Sequence, residues 1–141
     1  MGTKKALVLT GGSIKGAFQV GALKAILEKG YKFDFIYGIS VGSLNSTFIT
    51  NEAGKQNVPL ESLDWQAIGT NLMNFWLDNI KKPENVAKKR STIALVWSII
   101  TNNFKGLVDT TPIQTLVKDT IKMQYLQRSP VKLTLRVKKY L

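Results

Sequence analysis

The chain alternates short apolar runs with glycine-rich corners. Ala6-Leu7-Val8-Leu9-Thr10 predicts a buried strand, and it runs into Gly11-Gly12-Ser13-Ile14-Lys15-Gly16. The next segment carries Ala22, Leu23, Ile26 and Leu27 at helical spacing until Gly30 stops it. Phe33-Asp34-Phe35-Ile36-Tyr37 predicts a second buried strand, closed by Gly38-Ile39-Ser40-Val41-Gly42. From Val41 to Ile49 the pattern is helical again, with Leu44 and Phe48 four residues apart. Strand, glycine corner and helix therefore occur twice within the first fifty residues.

Beyond this pair, Asn51 to Pro59 reads as a polar loop, and Ser62 is placed to cap a helix whose apolar stripe is Ile68, Leu72, Phe75 and Trp76. Lys81-Lys82-Pro83-Glu84-Asn85 ends that helix. Lys88-Lys89-Arg90 then leads into the apolar run Ile93–Ile100, which is far shorter than the ~20 residues a membrane span requires. It reads as a buried helix or as part of an apolar cap over a site. Thr111 and Pro112 suit the cap and first residue of another helix, and Val131 to Val137 alternates as a half-exposed strand would. The pattern predicts a single α/β domain over residues 1–141. Its expected architecture is a three-layer α/β/α sandwich, with a mostly parallel sheet including strands near 6–10 and 34–38 and helices on both faces. A site is expected where the glycine corners meet, at the carboxyl ends of the strands.

Composition narrows the chemistry. The 141 residues contain neither cysteine nor histidine, which removes disulfides, thiolate metal sites and the imidazole of a Ser-His-Asp triad. Neither a metal nor a cofactor is expected. Lys plus Arg number 20 against nine Asp plus Glu, for a net charge of +11, which favours anionic surfaces. No basic stretch interleaves with aromatics, so nucleic acid is not expected as a partner. The first ten residues hold two lysines and too short an apolar stretch for a secretory signal, and a cytoplasmic location is expected.

The G-x-S-x-G sequence Gly38–Gly42 offers Ser40 as a nucleophile on a tight turn between strand and helix, with the helix N-terminus favouring negative charge at its oxygen. The first corner offers backbone N–H groups to an anion, either a phosphate or the oxyanion of a tetrahedral intermediate. A Walker loop needs Gly-Lys followed by Ser or Thr, whereas Lys15 precedes Gly16 and Ala17 follows. A dinucleotide fingerprint needs glycine where Ser13 stands, and its ribose-binding acid could only be Asp34, near the start of its strand. Lys15 reads either as a support for the loop or as a solvated charge at a helix start.

Taken together, Leu9–Leu23 and Asp34–Asn45 resemble, in order and spacing, the two motifs of the patatin-like phospholipases. The resemblance implies Ser40 as the nucleophile of a Ser-Asp dyad, so that no histidine is needed. It implies an oxyanion hole at Gly11, Gly12 and Ser13, and a supporting loop and elbow at Lys15, Gly16, Gly38 and Gly42. The implied reaction is hydrolysis of an acyl ester in a phospholipid or other lipid, with peripheral contact to a membrane. The family's dyad acid lies in an Asp-Gly-Gly or Asp-Gly-Ala motif, and this sequence contains no Asp-Gly dipeptide. Asp34, Asp64, Asp78, Asp109 and Asp119 each have an ordinary reading: Asp34 matches a residue the family often carries before its elbow, Asp64 and Asp78 lie on or beside a helix, Asp109 belongs to a turn and Asp119 to a helix. The resemblance is strong over the first fifty residues and continues weakly through Gly106–Ile113, and a whole domain of this kind is longer. The chain is therefore expected to be the N-terminal part of such a domain, with impaired activity. The competing expectation is a non-catalytic lipid-binding or interaction module without the base.

Overall fold

Three of the apolar runs become one parallel sheet. The computed structural model describes residues 3–12, 15–80, 88–89, 108–109 and 111–136, the two pairs in the middle by their backbone alone. In chain order the elements are β1 (Ala6–Leu9), α1 (Lys15–Glu28), β2 (Phe35–Ile39), α2 (Val41–Gln56), a 3-10 turn at Leu60–Ser62 and α3 (Trp65–Asn79). There follow β3 (Lys88–Lys89), β4 (Val108–Asp109), α4 (Thr111–Thr120), α5 (Met123–Arg128) and β5 (Lys132–Arg136). The sheet order is β1-β2-β5, all parallel, with Leu9 opposite Gly38 and Gly38 opposite Leu135. β3 and β4 form a separate antiparallel pair. The α/β class and the parallel sheet agree with the sequence pattern.

Side chains alternate across the sheet, and its two faces have different surroundings. Ile36 is fully buried and Leu9 nearly so, whereas their neighbours Val8 and Tyr37 are 61% and 43% exposed. Strand order advances in one direction, so right-handed crossovers place successive helices on the same side. Val20, Leu23 and Leu27 of α1, Phe48 and Ile49 of α2, and Ile68, Leu72 and Phe75 of α3 form the core there with Ile36.

Three expectations require correction. The polar stretch 51–59 is not a loop in its first half: α2 continues to Gln56, and Asn51, Glu52, Ala53 and Gly54 are all buried. Polar residues are tolerated there because each has a partner. Asn51 Oδ1 accepts from the Lys122 amide at 2.9 Å, Asn71 Nδ2 donates to Glu52 Oε2 at 2.9 Å, and Lys55 pairs with Glu52. The helix ends at Asn57, whose left-handed backbone (φ 53°, ψ 42°) suits a C-terminal cap.

The cap of α3 is Asp64, not Ser62: Asp64 Oδ1 accepts from the Ala67 amide at 2.9 Å, while Ser62 lies in the 3-10 turn. Gln56 holds Asp64 in place by accepting from its amide (2.8 Å) and donating to its carbonyl (3.1 Å). Asp109, expected in a turn, lies in β4. The run Ile93–Ile100 and the stretch Lys81–Asn85 lie outside the described residues.

Asp64→Ala is expected to cost about 1 kcal/mol of stability, the usual worth of a lost N-cap, while Ser62→Ala stays within about 0.5 kcal/mol. Urea denaturation of the two variants checks the assignment, and Asp64→Asn, which keeps a capping acceptor, should retain most of the wild-type stability.

Candidate functional site

Ser40 follows β2 directly and is the N-terminal flanking residue of α2. A serine in that place ordinarily folds its hydroxyl back onto an amide of the first helical turn. Ser40 does not. Its backbone sits at φ 55° and ψ −124°, a conformation rarely adopted by any residue but glycine, and its side chain makes no capping hydrogen bond. The hydroxyl is instead presented to solvent, at the end of a sixteen-residue helix where the helix dipole is positive.

The turn is this sharp because two glycines let backbone and helix approach closely. A Cβ on Gly42 would strike the Leu9 carbonyl and come within 2.9 Å of the Thr10 oxygen. One on Gly38 would strike the Ser46 hydroxyl and lie 2.7 Å from Ser43 Cα. The start of α2 is thus pressed against the end of β1, which brings the first glycine corner to the serine. A Cβ on Gly11 would stand 2.9 Å from Ser40 Cβ and 3.6 Å from its Oγ.

Gly12 continues the corner with φ 148°, exposed, and its carbonyl accepts from the Lys15 amide at 3.0 Å to start α1. The stem of Lys15 folds over Gly12 and its side chain is exposed. Gly16 is buried, with Val41 and the ring of Trp76 against it. Ser13 lies outside the described residues. Of the residues singled out by sequence, the structure therefore gathers Gly11, Gly12, Gly38, Ser40 and Gly42 at the carboxyl ends of β1 and β2, with Lys15 and Gly16 on the adjoining first turn of α1.

Three residues with no predicted chemical part stand immediately behind them. Trp76 Nε1 donates to Asn45 Oδ1 at 2.8 Å, Asn45 Nδ2 donates to Gln19 Oε1 at 3.1 Å, and Gln19 Nε2 donates to the Thr10 carbonyl at 2.6 Å. Trp76 had been expected only in the apolar stripe of its helix, where it is indeed buried.

None of the hydrogen bonds among the described residues joins a carboxylate to Ser40. Asp34 lies at the other end of β2, where its Oδ2 accepts from the Lys5 amide at 2.8 Å. Asp64 caps α3, and Asp78 and Asp119 are exposed on α3 and α4. The side chain of Asp109 is outside the described residues.

Comparison with known proteins places this geometry in a family. The sequence model of the Patatin-like phospholipase family matches residues 7–137. The chain belongs to the patatin-like phospholipases. It is 32% identical over 77 residues to patatin-like phospholipase domain-containing protein 7 of Rattus norvegicus, and 34% identical over 77 residues to the protein of that name in Mus musculus. It is 36% identical over 64 residues to neuropathy target esterase sws of Drosophila persimilis. These matches cover 55% of this chain for the two mammalian proteins and 45% for the fly protein, but only 6% and 4% of those relatives. The chain thus spans a small part of the length of the curated proteins it matches. No solved structure matches it. Among the described residues, no helix is long and apolar enough to cross a membrane.

The backbone at Ser40 supplies a stability test. Strain at such a position is of order 1–3 kcal/mol for a residue with a side chain, and the entropic cost of glycine in the unfolded chain offsets part of that. Ser40→Gly should therefore be more stable than Ser40→Ala by about 1 kcal/mol in equilibrium denaturation. Equal stabilities would mean that the turn carries no strain.

Proposed function

We propose that this patatin-like chain is a serine acyl hydrolase of lipid esters, with Ser40 as the nucleophile. The observation that carries the reading is the placement of Gly11 against an uncapped, exposed Ser40. A nucleophilic oxygen and a loop of main-chain amides then face the same small volume. Family membership supports the substrate class, an acyl ester of a phospholipid or other lipid.

In the proposed reaction, Ser40 Oγ attacks the ester carbonyl and passes its proton to water as the carbon–oxygen bond forms, and water returns a proton to the departing alcohol oxygen. The amides of the Gly11–Gly12 corner, with that of Ser13 by resemblance, hold the developing oxyanion; removal of one such donor typically costs about 10²–10³ in rate. Collapse of the tetrahedral intermediate expels the alcohol, leaving an acyl-enzyme that water hydrolyses to the fatty acid. The N-terminus of α2 stabilises negative charge on the serine oxygen throughout. Lys15, exposed beside Gly12, supports the loop or meets an anionic head group.

No base is assigned to the serine proton, since these 141 residues hold no Asp-Gly dipeptide to supply the dyad acid. The proposed consequence is that an activated phosphonate phosphonylates Ser40, with fluoride leaving, far more readily than an ordinary ester turns over. The absence, among the described residues, of a carboxylate hydrogen-bonded to Ser40 favours a second reading, a lipid-binding module that keeps the elbow without the base.

A fluorophosphonate should label the chain at Ser40, and Ser40→Ala should abolish labelling. Gly11→Val, which fills the space beside Oγ, should reduce labelling at least about 10²-fold with the circular dichroism unchanged. A folded wild-type chain that takes no label, yet binds lipid vesicles, would replace the hydrolase reading with the second one.

A further inference from the structure

One indole and two side-chain amides behind the site form a chain of hydrogen bonds with only one possible direction. An indole N–H donates and never accepts, so Trp76 forces Asn45 to turn its oxygen toward α3. The Asn45 amide nitrogen must then face α1, where it meets Gln19 Oε1 at 3.1 Å and the Gly16 carbonyl at 3.4 Å. Gln19, having accepted through its oxygen, has its nitrogen left for the Thr10 carbonyl at 2.6 Å. Asn45 is fully buried, and each polar atom of its side chain is used. An alternative orientation of either amide would set donor against donor or acceptor against acceptor.

The end point of this chain is chemically significant. Thr10 C=O and Gly11 N–H belong to one peptide plane and point in opposite directions. Fixing the oxygen therefore fixes the direction of the Gly11 N–H, in the residue packed against Ser40. Gly11 carries no side chain with which to hold itself, and Gly12 beyond it has a backbone open to many conformations.

We propose that Gln19 and Asn45 are positioning residues: through the Thr10 carbonyl they set the orientation of the Gly11 amide relative to Ser40, with Trp76 fixing the direction of the relay. They touch neither substrate nor the reacting oxygen. The kinetic part of this proposal rests on the acyl-transfer reading above; the structural part does not. The relay also joins α1, α2 and α3 at one point, so a loss in α3 is transmitted to the loop at the end of β1.

Asn45 is fully buried and its replacement would perturb folding, so the test uses Gln19, which is partly exposed. Two variants separate positioning from mere satisfaction of Asn45. Gln19→Met removes both hydrogen bonds. Gln19→Glu keeps an acceptor for Asn45 but cannot donate to the Thr10 carbonyl, and it sets a carboxylate against that oxygen. Fluorophosphonate labelling of Ser40 should slow about ten- to hundredfold in both variants, in the maximal rate rather than in the half-saturating concentration. In ¹⁵N relaxation, the Gly11 order parameter should fall from about 0.85 toward about 0.6 while the amides of α3 stay rigid.

Labelling and Gly11 order that both return to wild type in Gln19→Glu would overturn the proposal, because Gln19 would then serve only to satisfy Asn45. Unchanged Gly11 order in both variants would overturn it as well. If the wild-type chain takes no label, the hydrolase reading fails on its own, and the relaxation measurement still decides whether Gln19 holds the corner.

Discussion

The structure depends on one close approach, that of the first turn of α2 to the last residues of β1. With no Cβ at position 42, the helix sits against the carbonyls of Leu9 and Thr10, so two chain reversals share a corner. Everything at the site follows from that distance. The Ser40 backbone is driven into its unusual conformation, Gly11 is brought beside the serine, and Asn45, one turn into the helix, comes within reach of α1. A methyl group at position 42 would separate these parts together, because overpacking at a backbone contact cannot be relieved by a rotamer change.

Much of this was legible in sequence because glycine spacing reports directly on backbone geometry. Gly38, Ser40 and Gly42 mark a strand-to-helix turn, and Gly11, Gly12 and Gly16 mark a second corner of the same kind. Strand and helix periodicity around them located β1, α1, β2 and the start of α2. The stripe Ile68, Leu72, Phe75 and Trp76 gave α3 its buried face.

What escaped was polarity in buried positions. Asn51 and Glu52 look like loop residues because composition records the cost of burying them and omits the partners that offset it. Those partners, Lys122 and Asn71, are distant in the chain, so local spacing carries no trace of them. Gln19 and Asn45 went unrecognised for the same reason: an amide side chain looks like ordinary surface until its neighbours are known. The sequence points to Ser62 as the cap of α3, whereas Asp64 takes that place, held from across the turn by Gln56.

The outward face of the sheet has a colloidal consequence. Parallel sheets are normally covered on both sides, and among the described residues Val8, Tyr37 and Ile39 form an exposed apolar strip. Two such strips attract one another at short range, whereas the surplus of eleven positive charges repels at longer range. At physiological ionic strength that repulsion extends only about 8 Å. Dispersal of this chain in solution is therefore a balance between an oily strip and an ionic cushion, and added salt thins the cushion while leaving the strip untouched.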